Sequence, residues 1–233
     1  MTKATATFDN QTSQTTTGIL YQVSMPQPAS HLFEIKLQIT NWQASTLDLK
    51  MPVWTPGSYL VREYAKQVQD FRAENSISKQ SLQGTKLSKN YWQIKTENAS
   101  EITIAYRVYA NELSVRTNHL DATHGYFNGA ALFFFIPGLE KQPYLVQISP
   151  PRSDWQVSTT LLPTSGQSHT FIAPDFDTLV DSPFEIGSQR IYDFEVLGKP
   201  HQLAIWGEGN ADVEKIINDT KKIIEVEANL FGG

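Results

Sequence analysis

His119, Asp121 and His124 stand close together in the chain, and two imidazoles with a carboxylate are donor types that zinc accepts. The pattern stops short of a metal motif. The surrounding segment, Asn111 to Thr123, is polar, nothing in it predicts a helix that would hold two ligands on one face, and no further ligand stands nearby in sequence. The expectation is therefore a loop without a metal. Asp175 and Asp177 would share one face of an extended chain, the spacing of a carboxylate pair, but Pro174 beside them favours turn residues over an acid–base couple. No catalytic residue is expected in these 233 residues.

A second group of side chains points to recognition rather than bond chemistry. Met51 to Asp70 joins a strand end to Pro56-Gly57 and then to Tyr59, Arg62 and Tyr64. Pro52 and Pro56 fix φ and remove backbone donors, so the strand cannot run on and Pro56-Gly57 reads as a tight turn. One reading packs Trp54 as the anchor of a sheet corner. The other presents Trp54, Tyr59, Arg62 and Tyr64 on a surface met by another domain or a ligand.

The elements that must carry these residues are mostly strands. Ile19, Tyr21 and Val23 alternate with Leu20, Gln22 and Ser24, Phe33, Ile35, Leu37 and Ile39 alternate strictly with polar residues, and Leu47, Leu49, Met51 and Val53 alternate with Asp48 and Lys50. Leu60 to Ala73 is ambiguous, with strand favoured from Gln67, and Asn75 to Ser88 is loop-like. Tyr91 to Lys95 and Glu101 to Ala110 alternate again, and Asn98-Ala99-Ser100 between them predicts a hairpin. Gly125 to Gly138 holds an Asn-Gly turn and then an unbroken apolar run, which must be buried on both faces or covered by a neighbour. Strands are predicted again over 144–149, 155–160, 169–173, 190–196 and 201–206. The fold class expected is mainly β, an antiparallel β-sandwich or large curved sheet.

The ending differs. Val213, Ile216, Ile217, Thr220, Ile223, Ile224 and Leu230 form one helical stripe, with Asn210 as the expected N-cap and Gly232-Gly233 as the stop. A lone helix after so many strands is read as the opening of a truncated second domain. The domain assignment is a flexible tail over 1–17, too polar to repay its ordering entropy, a β domain over 18–197, and a strand with the first helix of the truncated domain over 198–233. The helix stripe, without its cover, is expected to dock on a second copy of the chain or fold back on its own sheet.

Composition bounds the partners. The formal net charge of −5 and the lack of a basic stripe exclude nucleic acid and anionic membranes as expected partners. There is no cysteine, hence no disulfide framework or thiolate metal site, and no apolar run approaches a membrane span. A soluble, cytoplasmic protein is expected.

Taken in order, Pro52-Val-Trp-Thr-Pro-Gly-Ser-Tyr59, Val61-Arg-Glu-Tyr-Ala65, Val68-Gln-Asp-Phe71, Tyr126-Phe-Asn-Gly129 with Leu132-Phe133, and Asp181-Ser-Pro-Phe-Glu-Ile-Gly187 resemble the N-terminal part of the glycyl aminopeptidase family of zinc metallopeptidases, relatives of the aminopeptidase N group. The resemblance spans about Gly18 to Gly233. It implies a saddle-shaped β domain covering the active site of a thermolysin-like catalytic domain, whose first strand and helix look like His201 to Trp206 and Ala211 to Gly232. A PDZ-like domain commonly follows in that family. It also implies zinc in the full-length protein, but no histidine here is followed by glutamate. A His-Glu-x-x-His pair is therefore absent, and this chain cannot hold that zinc.

Two functions are weighed on these residues. The first is a non-catalytic N-terminal domain that caps the peptidase active site and helps position the peptide N-terminus, with the remainder of its own catalytic domain and a peptide as partners. Tyr126, Asn128 and Gly129 are then the loop expected to face the substrate cleft, although a hairpin turn feeding a core strand explains them equally well. Asp181 and Glu185 are interdomain candidates beside a Ser182-Pro183 strand bulge, or caps on backbone groups. The second is a free-standing β-sandwich binding a sugar or peptide through exposed aromatics, which burial of Trp54 and Tyr59 would remove.

Overall fold

The structure is a computed structural model and describes residues 16–55 and 58–232. Residues 1–15 of the tail expected over 1–17, the Pro56-Gly57 turn and Gly233 lie outside the described residues. The strands in chain order are β1 (Gly18–Ser24), β2 (Leu32–Thr40), β3 (Thr46–Lys50), β4 (Val68–Asn75), β5 (Ser81–Leu82), β6 (Gly84–Ser88), β7 (Tyr91–Lys95), β8 (Ile102–Tyr109), β9 (Asn118–Leu120), β10 (His124–Phe127), β11 (Tyr144–Ser149), β12 (Gln156–Ser158), β13 (Leu162–Pro163), β14 (Thr170–Ala173), β15 (Phe184–Gly187), β16 (Arg190–Val196) and β17 (Lys199–Ile205). Helix α1 (Phe176–Val180) precedes β15, and α2 (Val213–Leu230) closes the described chain.

Four sheets result. The largest runs β13-β14-β11-β1-β2-β8-β4-β5, and the others are β12-β15-β10-β9, β3-β7-β6 and β16-β17. Pairing is antiparallel except between β1 and β11, which run parallel in register Leu20 to Leu145. The mainly β fold class read from the alternation holds. Phe33, Ile35, Leu37 and Ile39 on β2 are all buried, while Glu34 and Lys36 between them and Thr40 after them are exposed. Each such side chain removed from water contributes roughly 2 kcal/mol. The buried faces of β1, β2, β3, β7, β8, β10, β11 and β15 meet in one core.

Several elements differ from the sequence reading. Tyr91–Lys95 and Ile102–Tyr109 do not form a hairpin: β7 sits between β3 and β6, whereas β8 sits between β2 and β4. The turn at Glu97 and Asn98, both at positive φ, carries the chain from one sheet to another. Burial decides this, because Trp92 and Ile94 find their apolar partners opposite Leu49 and Leu47. Asn75 to Ser88 is not loop alone, since β5 and β6 form there. Every residue of β6 is exposed, so backbone pairing to β7 makes that edge strand and no hydrophobic alternation betrays it. Asp212, not Asn210, caps α2, accepting the Lys215 N–H at 3.0 Å.

The apolar run after Gly129 is buried as expected, yet its residues 132–136 form no strand. Phe135 makes only an isolated bridge to Lys50, so the buried carbonyls need other partners. The Tyr21 hydroxyl donates to Phe134 O, the Tyr106 hydroxyl to Leu132 O at 2.9 Å, and Asn118 Nδ2 to Ala131 O at 2.9 Å. Three polar side chains thus do what a neighbouring strand would have done.

Candidate functional site

The ledge after β3 is largely open. Trp54 is 51% exposed and Tyr59 fully so, with Val53, Leu60 and Val61 exposed around them. The segment is braced from within: Trp54 Nε1 donates to Ser58 O at 2.5 Å and Arg62 N–H to Val53 O at 2.6 Å. Tyr64 is a correction. It is 6% exposed, because a short 3-10 turn over Tyr64–Gln67 rolls its ring inward before β4 begins. It still lines, with Arg62, Glu63, Tyr109 and Asn118, a small cavity of about 190 Å³.

A second cavity, about 480 Å³, lies between Thr55, Arg116, Tyr126, Asn128 and Asp181. It brings together the sequence-nominated Tyr126, Asn128 and Asp181 with Thr55 and Arg116, which the sequence reading missed. Strand β10 aims Tyr126, and Asn128 is held at the strand end, where its Oδ1 accepts the Ala130 N–H at 3.0 Å and its own N–H donates to Asn118 Oδ1 at 3.1 Å. The Tyr126 hydroxyl and Asn128 Nδ2 both approach Val115 O, at 3.4 and 3.3 Å. Phenol, amide, guanidinium and carboxylate in one depression can bind a carbonyl and an ammonium together. Gly129 is placed elsewhere. It is buried, and a Cβ there would lie 3.0 Å from both Leu179 O and Val180 Cα, so its work is to let the chain pass α1.

Helix α1 is the opposite wall. Asp175, read as a turn residue, is its N-cap, accepting the Thr178 N–H at 2.7 Å, which together with the Thr178 hydroxyl holds its carboxyl below the ordinary range. Ser182 is no strand bulge, because its hydroxyl donates to Thr178 O at 2.8 Å and finishes α1. Asp181 follows α1 as its C-cap, where its N–H donates to Asp177 O at 3.0 Å. Glu185 does not cap the backbone. Its Oε1 is buried and unpartnered, and burial pushes its carboxyl up to about 7.

A second group forms where β9 turns into β10. His119 Nε2 lies 3.2 Å from Asp121 Oδ2, His124 Nδ1 lies 3.9 Å from Asp121 Oδ1, and His124 Nε2 lies 3.8 Å from Glu185 Oε1. His124 is 2% exposed and stacks on Trp206, ring centroids 3.8 Å apart. Burial and the neighbouring His119 pull its pKa below the usual imidazole value, against the pull of Asp121. Burial pushes the Asp121 carboxyl up, but hydrogen bonds from the Thr123 hydroxyl, the Thr123 and His124 N–H groups and His119 outweigh it and hold the group well below the carboxylate range. In sequence, nothing beyond Asp121 was in view as a companion to the histidines; strand β15 delivers Glu185.

Sheets sharing one core, with an exposed apolar ledge beside a polar depression, define a mainly β domain. The chain belongs to the Peptidase M61 N-terminal domain family, which it matches over residues 20–188. It is similar to an aminopeptidase N family protein from Idiomarina loihiensis, with 34% identity and a TM-score of 0.84 over 92% of this chain and 37% of the other. This chain thus spans little more than a third of that relative's length. A looser likeness, with a TM-score of 0.43 and 9% identity over 85% of this chain and 51% of the other, is found to an M1 zinc metallopeptidase from Deinococcus radiodurans. No curated protein matches the chain. No histidine precedes glutamate in this sequence, so these residues contain no His-Glu-x-x-His zinc motif. Among the described residues, no helix is long and apolar enough to cross a membrane.

Proposed function

We propose that this chain is the non-catalytic N-terminal domain of a zinc metalloaminopeptidase of the glycyl aminopeptidase type, capping the active site of its own catalytic half and helping position the peptide N-terminus. The observation that carries this reading is the ledge of Val53, Trp54, Tyr59, Leu60 and Val61. Apolar side chains so exposed call for cover by another surface. Thr55, within the same segment, opens onto the Tyr126–Asp181 depression, so a surface that covers the ledge would wall off that depression as well. Inside it, Asp181 is the group for a peptide's ammonium, and the Tyr126 hydroxyl and Asn128 amide are the groups for its first carbonyl. The zinc and its water belong to the half of the protein beyond these residues. The proposal places the whole protein in the cytoplasm, with which the absence of cysteine agrees.

The test is hydrolysis of glycyl and alanyl anilides by this chain and by the longer protein that continues past Gly233. An inert chain beside an active longer protein supports the reading. Hydrolysis by the 233-residue chain alone overturns it. The exposure of Trp54 and Tyr59 keeps a second reading, a stand-alone sugar- or peptide-binding module, although Tyr64 is withdrawn from its surface. Saturable binding of an oligosaccharide to this chain, lost in Trp54→Ala, would favour that second reading.

A further inference from the structure

We propose that His119, Asp121 and His124 form a divalent-metal site of the zinc, cobalt or nickel class, with Glu185 as the outer partner of His124. The proposal does not depend on the capping role. Its ground is geometry. The three donor atoms lie within 4.8 Å of one another. Bonds of about 2.0–2.2 Å in a tetrahedral shell separate donors by roughly 3.3–3.6 Å, so small side-chain rotations close the set. The backbone stays put, because β9 and β10 pair Tyr126 with His119 and Gly125 with Leu120.

The carboxylate is already fixed. Asp121 Oδ1 accepts from the Thr123 N–H, the Thr123 hydroxyl and the His124 N–H, which turns Oδ2 towards His119. A ligand locked by backbone donors loses little freedom when an ion arrives.

The second observation is His124 itself. Its ring is almost wholly buried, one face covered by Trp206, yet Nδ1 has no hydrogen-bond partner within the protein. Glu185 Oε1, 3.8 Å from Nε2 of the same ring, is also buried and unpartnered. Leaving two such atoms unsatisfied is costly. A metal on Nδ1 accounts for both, because it places the ring proton on Nε2, where Glu185 is the acceptor. Metal-bound histidines use carboxylates in this way. Two imidazoles and one carboxylate suit borderline metals; calcium and magnesium prefer all-oxygen shells. The Asp121 side chain, 34% exposed, is the open side through which the ion and a completing water enter.

The chain has no cysteine and no His-Glu-x-x-His pair to compete for metal, so the 233-residue protein can be titrated directly with zinc chloride by calorimetry and with cobalt chloride by visible absorption. One equivalent is expected to bind, with cobalt giving the intense bands of a tetrahedral nitrogen–oxygen site and zinc raising the melting temperature. His119→Gln and Asp121→Asn, both at the partly exposed side, should each weaken binding by about 100-fold, and Glu185→Gln by about 10–100-fold. His201→Gln is the control and should leave affinity unchanged. His124→Gln should abolish binding; if it does not fold, the two outer variants decide alone. No binding of either metal, or binding that survives Asp121→Asn and is lost in His201→Gln, overturns the site.

Discussion

The imidazole of His124 lies against the indole of Trp206, ring centroids 3.8 Å apart and planes inclined by 21°. One ring starts β10 and the other follows β17, so this stack ties the two-stranded β16–β17 sheet to the four-stranded sheet. Stacked aromatic pairs add about 0.5–1.5 kcal/mol beyond the area they bury. Trp206→Ala is expected to cost about 1–3 kcal/mol in urea unfolding, and Trp206→Phe to recover most of it. An unchanged midpoint in Trp206→Ala would show that the hairpin is not coupled to the core.

The buried run after Gly129 depends on hydroxyl donors rather than on a strand neighbour. Tyr106→Phe removes the donor to Leu132 O while keeping the ring that packs on Phe134. A buried acceptor left unpaired costs about 1–3 kcal/mol, so thermal unfolding of Tyr106→Phe should show a loss in that range. A loss near zero would mean that Leu132 O has found another donor.

Acid stability should carry a signature of Asp175. Its carboxyl is lowered by the Thr178 N–H and hydroxyl, so in the folded state it resists protonation more than in the unfolded chain. Its contribution is therefore present above the unfolded pKa and is lost as pH falls through the folded value. Asp175→Asn keeps a capping oxygen but cannot titrate, and its stability should fall less steeply on the acid side. Asp175→Ala should cost about 1 kcal/mol at neutral pH through loss of the cap. Urea midpoints measured across the acid range separate the two effects.

Substrate positioning is testable in the longer protein. If Asp181 holds the peptide's ammonium, Asp181→Asn should raise KM for glycyl anilide by about 10-fold or more, the size of one charge-assisted hydrogen bond, with a smaller change in kcat. Tyr126→Phe should lower kcat/KM by about 5-fold. Wild-type kinetics in both variants would remove the depression from the substrate path.

Some of this was legible from residue order alone. Phe33, Ile35, Leu37 and Ile39 announce β2 because a strand with one buried face must alternate. Strands over 190–196 and 201–206 were legible too, but not the hairpin that joins them through Leu197-Gly198, both at positive φ. The exposed side of the ledge was legible as one of two readings, since two prolines prevent Trp54 from continuing a central strand. Tyr64 was not, because the short turn that rolls it inward has no periodicity of its own.

What the sequence by itself determined is what local chemistry controls: a mainly β chain, the approximate strands, a terminal amphipathic helix, and the absence of a His-Glu-x-x-His pair. Tertiary structure decided the partners. It sent β7 and β8 to different sheets, ran β1 parallel to β11, and set Tyr126 and Asn128 opposite Asp181. It also carried Glu185 and Trp206 to His124, across separations that no window on the sequence spans. The physical reason is the same in each case. Alternation tells a strand which face to bury, but only the shape of the shared core selects the strand that lies beside it.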